Sequence, residues 1–134
     1  MANQVKIIDW DGPGLMFKIE ELSQESLMKL ALQCEGHTKA NIVSNDQVDT
    51  GFMLASVYAF GTTGSNYGSA ENEAKSKNQN GEMLPEENLS SDSDAGVAVG
   101  AEYGIYQEAK DSFLIRGFES TLNDFNLVMA EFKF

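Results

Sequence analysis

Between residues 24 and 60 the hydrophobic pattern changes period once, and that change restricts the fold. Leu27, Leu30, Ala31, Cys34, Thr38 and Ile42 recur at the three-and-four spacing of a single helix face. The helix they predict runs from Gln24 to Val43, about 30 Å at ~1.5 Å per residue. Ser23 stands where an N-cap belongs, and Glu25 falls in the first turn, where the helix dipole favours negative charge. Gly36 weakens the middle by up to ~1 kcal/mol relative to alanine, and it is a place for a second backbone to approach. Asn45-Asp46 and Asp49-Thr50-Gly51 are turn formers. After them Phe52, Leu54, Ser56, Tyr58 and Phe60 alternate with Met53, Ala55, Val57 and Ala59, which predicts a strand over Phe52–Phe60.

The rest of the chain adds strands. Val5–Trp10 and Leu15–Ile19 alternate on either side of the turn Asp11-Gly12-Pro13-Gly14. Residues 61–96 are rich in Gly, Ser, Asn and Glu. There Glu71, Glu73, Glu82, Glu86, Glu87, Asp92 and Asp94 outnumber Lys75 and Lys77. A long polar connection of this kind is functional or unstructured. Residues 62–95 are therefore expected to be the flexible acidic tip of a protruding hairpin, removable without loss of the fold. Strand character returns over Gly96–Tyr106, where Val97, Val99, Ala101 and Tyr103 share a face. Ser112 can cap a second short helix over Phe113–Phe125. Asn126–Phe134 alternates again, with Val128, Ala130, Phe132 and Phe134 together. Such a strand closes its own sheet or adds to a neighbour's. The fold class expected is α+β: a long amphipathic helix packed on a twisted antiparallel sheet. At 134 residues the chain reads as one domain, 1–134, able to bury about two thirds of its unfolded surface.

Composition excludes several functions. With 21 acids against 9 bases the net charge is −12, the wrong sign for gripping nucleic acid. A negative wall does suit a protein that DNA slides past. The single cysteine, Cys34, forbids an internal disulfide and a thiolate-rich zinc site. It lies on the apolar stripe and reads as a small buried hydrophobe. His37 follows at helical spacing, but no orienting group for a Cys–His dyad stands nearby, so it reads as a satisfied or solvated histidine. The pairs Asp9/Asp11 and Asp92/Asp94 have no completing glutamate at calcium-loop spacing and read as surface charge. No metal, cofactor or catalytic residue is expected. No apolar run approaches the ~20 residues of a membrane span, and the N-terminus has no secretory pattern, so a cytoplasmic site of synthesis is expected.

Three pieces in order carry a resemblance: Val48-Asp49-Thr50-Gly51 after the long helix, Tyr103-Gly104-Ile105-Tyr106-Gln107-Glu108 after the polar connection, and Phe113-Leu114-Ile115-Arg116-Gly117-Phe118. Together they cover about two thirds of the chain and resemble the small neck and tail-completion (head–tail joining) proteins of long-tailed double-stranded DNA phages. The chain departs from that pattern in having Ala109-Lys110-Asp111 after Glu108, and Ile115-Arg116-Gly117 after Leu114. The resemblance implies a non-enzymatic virion protein. It would form a homo-oligomeric ring, usually a hexamer, at the neck or the head-proximal end of the tail. Its neighbours would be neck, connector or tail-tube proteins, and DNA would pass through without specific binding. Asp49, Thr50 and Gly51 would be a turn. Candidate subunit contacts are Tyr103, Tyr106, Phe113, Phe132 and Phe134, with the chain's own core an equal alternative for the last two. The acids of 62–95 would meet a partner.

Two other readings compete. Asp49-Thr50-Gly51 is also the triplet of homodimeric aspartic proteases, in which two carboxylates share one proton, and Leu114-Ile115-Arg116-Gly117 echoes their supporting apolar element. Against this, a polar helical stretch precedes the triplet and Phe52 follows the glycine. The third reading is an unrelated α+β interaction module that forms no ring.

Overall fold

The fold is that of a computed structural model, described over residues 5–11, 14–19, 24–45, 51–62, 64–88, 95–110 and 112–131. Two strands, β1 (Val5–Asp11) and β2 (Gly14–Ile19), precede the long helix α1 (Gln24–Ser44). A single-turn helix α2 (Phe52–Ala55) leads into β3 (Val57–Gly61) and a short β4 (Gly64–Ser65). Helix α3 (Tyr67–Lys77) and an extended segment follow, then β5 (Ala95–Val99), α4 (Gly104–Lys110) and α5 (Leu114–Glu131). The strands form one antiparallel sheet in the order β1-β2-β5-β3-β4. The α+β class and the helix-on-sheet packing are as expected.

The sheet divides its side chains between two cores because successive residues point to opposite faces. Leu15, Val57, Ala59, Val97 and Val99 face α1 and α5. Met16, Tyr58, Phe60 and Ala98 face the other way, against Ala70 and Tyr67 of α3. All six stripe residues of α1, Leu27 to Ile42, are buried. Helix α1 lies over β3 and β5, and α5 runs beside it toward β2.

The two long helices are antiparallel and tied at several levels. Asn45 Nδ2 donates to the Ser112 carbonyl (2.9 Å), Asn41 Nδ2 to that of Phe113 (3.2 Å), and His37 Nε2 lies 2.8 Å from Asp124 Oδ2. The backbones come closest at Gly117. A Cβ there would strike Thr38 Oγ1, and would stand 2.9 Å from the Thr38 amide nitrogen. The close-approach glycine is thus Gly117. Gly36, expected in that role, is exposed, and a Cβ placed on it would meet nothing within 4 Å.

Four elements differ from the sequence expectation. The strand expected over Phe52–Phe60 begins only at Val57, and Phe52–Ala55 is helical. Phe52, Met53 and Ala55 are all buried, so this segment has no polar face, and alternation alone cannot separate a strand from a buried helical turn. Residues 62–95 do connect the antiparallel neighbours β3 and β5, but their described part is no bare tip. Helix α3 and residues 78–88 fold back over the sheet's second face. The strand expected to Tyr106 ends at Val99, and the Tyr103–Glu108 motif enters α4. The expected terminal strand is helical as far as Glu131, because α5 continues through Asn126–Glu131. The second helix is therefore 18 residues long rather than short.

Candidate functional site

The Val-Asp-Thr-Gly turn is the sequence's main landmark, and its described end opens a groove. Gly51 has φ 91°, a left-handed conformation that side chains rarely adopt, and it starts α2. Ser56 ends that helix. Its hydroxyl donates to the Met53 carbonyl (2.7 Å) and accepts from the Ala101 amide (3.0 Å). Helix α2 lies against α3 and beside the C-terminal half of α1. Between the three helices lies a groove of about 600 Å³. Ala40, Val43, Leu54 and Ala55 give it an apolar lining, with Lys39, Lys77 and Glu73 among them. Val43 is 58% exposed, the most exposed large hydrophobic side chain among the described residues. The Lys77 stem lies within 3.6 Å of where a Gly51 side chain would start. Lys39 is held by Glu35 at 3.0 Å, and Glu35 in turn accepts from Asn66 Nδ2 (2.8 Å).

The 62–95 acids are distributed over α3 and the segment after it. Glu73, Glu82 and Glu86 are exposed, and Glu71 and Glu87 are half-buried. Asp92 and Asp94 lie outside the described residues. The segment is fastened by backbone and aromatic hydroxyls. Tyr67 donates to the Leu84 carbonyl (2.6 Å), Glu87 N–H donates to the Tyr58 hydroxyl (2.9 Å), and Lys75 donates to the Gly81 carbonyl (2.6 Å). Leu84 N–H reaches the Gly100 carbonyl (2.7 Å), and Met83 bridges Ala101. Tyr58 meets Tyr67 edge-on with centroids 4.9 Å apart. Burial pushes the Tyr58 phenol up from its ordinary value, and burial with nearby acids raises Tyr67.

The candidate contact residues separate. Tyr103 is 38% exposed. Phe113 is fully buried in the α1–α5 core, so it is a core residue and not a subunit contact. Its sequence position misleads because it opens a helix whose first turn faces α1. The side chain of Tyr106, and Phe132 and Phe134 altogether, lie outside the described residues, as do Asp49 and Thr50. Gly51 leads into a helix, and Leu114-Ile115-Arg116-Gly117 is the first turn of α5.

Sequence reasoning missed the group that starts α5. The Glu108 carboxylate accepts from three consecutive amides, Phe113 (2.9 Å), Leu114 (2.8 Å) and Ile115 (3.2 Å). These are helix donors that lack intrahelical partners, at the end where the dipole favours an anion. Ser112, the expected cap, instead offers its carbonyl to Asn45. The groove was missed as well. Its only signal was an apolar Val43 on the polar side of α1, next to the stripe residue Ile42.

Cys34 is fully buried, and burial pushes its thiol up to about 12. Thr121 donates to the Gly117 carbonyl (2.8 Å), and the buried Thr38 hydroxyl has no hydrogen-bond partner among the described residues. Among the described residues no three His, Cys, Asp or Glu side chains converge as a metal set, and no helix is long and apolar enough to cross a membrane. Comparison with family models, curated proteins and solved structures yields no match for this chain.

Proposed function

We propose that the chain is a structural virion subunit. It forms a homo-oligomeric ring, six copies in the simplest case, at the head–tail junction or the head-proximal end of a phage tail. There it terminates or joins the tail and leaves a passage for DNA. The observation that supports the reading best is the open side of the sheet. β1 is seven residues long and, among the described residues, pairs only with β2. An edge of this length is a template for a strand of another chain. Its backbone is interrupted only by a bulge between Ile7 and Asp9. The ordered motifs at Val48–Gly51, Tyr103–Glu108 and Phe113–Phe118 support the family resemblance. The charge of −12 supports a lumen that repels phosphate. The catalytic alternative draws no support from the helical setting of Gly51 and Gly117.

Gene order and particle labelling test the reading together. A capsid-connector gene on one side, a tail-tube gene on the other and antibody label at the head–tail junction of purified particles are expected. Purified particles that lack the protein would contradict the proposal.

A further inference from the structure

Among the described residues three large hydrophobic side chains are exposed: Leu32 and Val43 on α1, and Tyr103 in the turn between β5 and α4. Val43 belongs to the groove between α1, α2 and α3, where Leu54 and Ala55 face it and Lys39, Lys77 and Glu73 supply the charge. Lys39 is already held by Glu35, which leaves Lys77 and Glu73 to meet an incoming group. Tyr103 follows Glu102, which is exposed as well. A tyrosine beside a carboxylate matches the groove on three counts: an apolar ring, a hydroxyl donor for Glu73 and an anion for Lys77. We infer that the Glu102-Tyr103 turn of one copy docks in the groove of another. The Tyr103 ring lies between Val43 and Leu54, its hydroxyl donates to Glu73, and the Glu102 carboxylate accepts from Lys77. That one charge pair is small beside the −12 each copy carries, so it orients the contact while the buried ring holds it.

The turn is a preformed knob. Ala101 N–H donates to the Ser56 hydroxyl (3.0 Å), Glu102 N–H to the Glu82 carbonyl (3.2 Å), and Gly104 N–H to the Ala101 carbonyl (3.0 Å). Gly104 lies against Val99, where a Cβ would stand 2.6 Å from Cγ1. A segment fixed in this way loses little freedom on docking. The same bonds hold it away from its own groove. Tyr103 is absent from the groove's lining, and in the one folded chain it is 38% exposed while Val43 is 58% exposed. The contact therefore joins two copies through two different surfaces. A head-to-tail contact of that kind closes into a ring or continues as a filament. The docking stands on the knob and the groove themselves; only the closure of the ring rests on the function proposed above.

The test mixes two full-length variants, each with the circular dichroism spectrum of the wild type. Val43→Glu spoils the groove and keeps the knob; Tyr103→Ser spoils the knob and keeps the groove. Each alone is expected to associate about tenfold more weakly than the wild type. Their mixture is expected to form a pair that stops at two chains and shifts the Val43 and Leu54 methyl resonances of the Tyr103→Ser chain. Glu102→Lys, at an exposed position, is expected to weaken association about threefold, and Lys77→Glu added to the same chain to restore it. A mixture that stays monomeric at millimolar protein, or shifts that leave Val43 and Leu54 unmoved, would overturn the inference. Native mass separates it from the ring reading. A pair in the mixture with only open chains of wild-type protein keeps the docking and removes the ring. Rings that persist in the Val43→Glu chain keep the ring and remove the docking.

Discussion

Single residues decide where the helices of this chain start and how closely they pack. Glu108 is the start signal for α5: one carboxylate takes three amides that the helix cannot satisfy itself. Glu108→Ala is expected to lower unfolding free energy by about 1–2 kcal/mol in urea titrations, the range for losing a helix cap. Ser112→Ala should stay within about 0.5 kcal/mol, and a larger loss at Ser112 than at Glu108 would contradict the assignment. The glycines make a matched pair. Gly117→Ala pushes a methyl into Thr38 and is expected to cost about 1–3 kcal/mol. Gly36→Ala meets nothing and should stabilise α1 by up to ~1 kcal/mol, read as a higher urea midpoint. At this scale the sequence was partly legible. Gly51 was read as part of a turn former, and it takes a positive φ. The choice between Gly36 and Gly117 depended on which side of α1 the second helix would lie, and no local pattern encodes that.

Elements were legible where a polar face existed to contrast with an apolar one. Helix α1 was readable because Leu27 to Ile42 are buried while Lys29, Leu32, Gln33, Gly36 and Ala40 are exposed. Helix α2 was not, since Phe52 and Met53 are both buried, on what strand logic would call opposite faces. Helix α3 failed for the opposite reason: only Ala70 and Ala74 are buried, too little hydrophobicity to show a stripe. The energetics of residues 62–95 follow from what they cover. Tyr58 and Phe60 are 1% and 2% exposed beneath this segment. Burying one such aromatic contributes about 1.5–3 kcal/mol. Replacing 62–95 by a short Gly-Ser turn is therefore expected to expose that face, with dye binding, aggregation and a lost cooperative transition. A soluble variant with an unchanged melting curve would show that the segment is the dispensable tip its composition implies.

Over the described residues the molecule is a sheet covered on both faces, with β1 paired only with β2. One side carries α1 and α5, the other α3 and its fastened extension. Its charge opposes self-association, since each copy brings −12 to any assembly. Salt screens such repulsion, with a Debye length of about 8 Å at physiological ionic strength. Assembly should accordingly strengthen between ~50 and ~500 mM salt, unlike a contact built on opposite charges. The function proposed above rests on copies of this body assembling into a closed ring. Native mass spectrometry with negative-stain imaging, across protein concentration at the higher salt, tests it most directly. The account predicts a discrete species of about six 14.7 kDa chains that appears as a ring with an open centre. A chain that remains a monomer or a two-fold dimer at every concentration would contradict it.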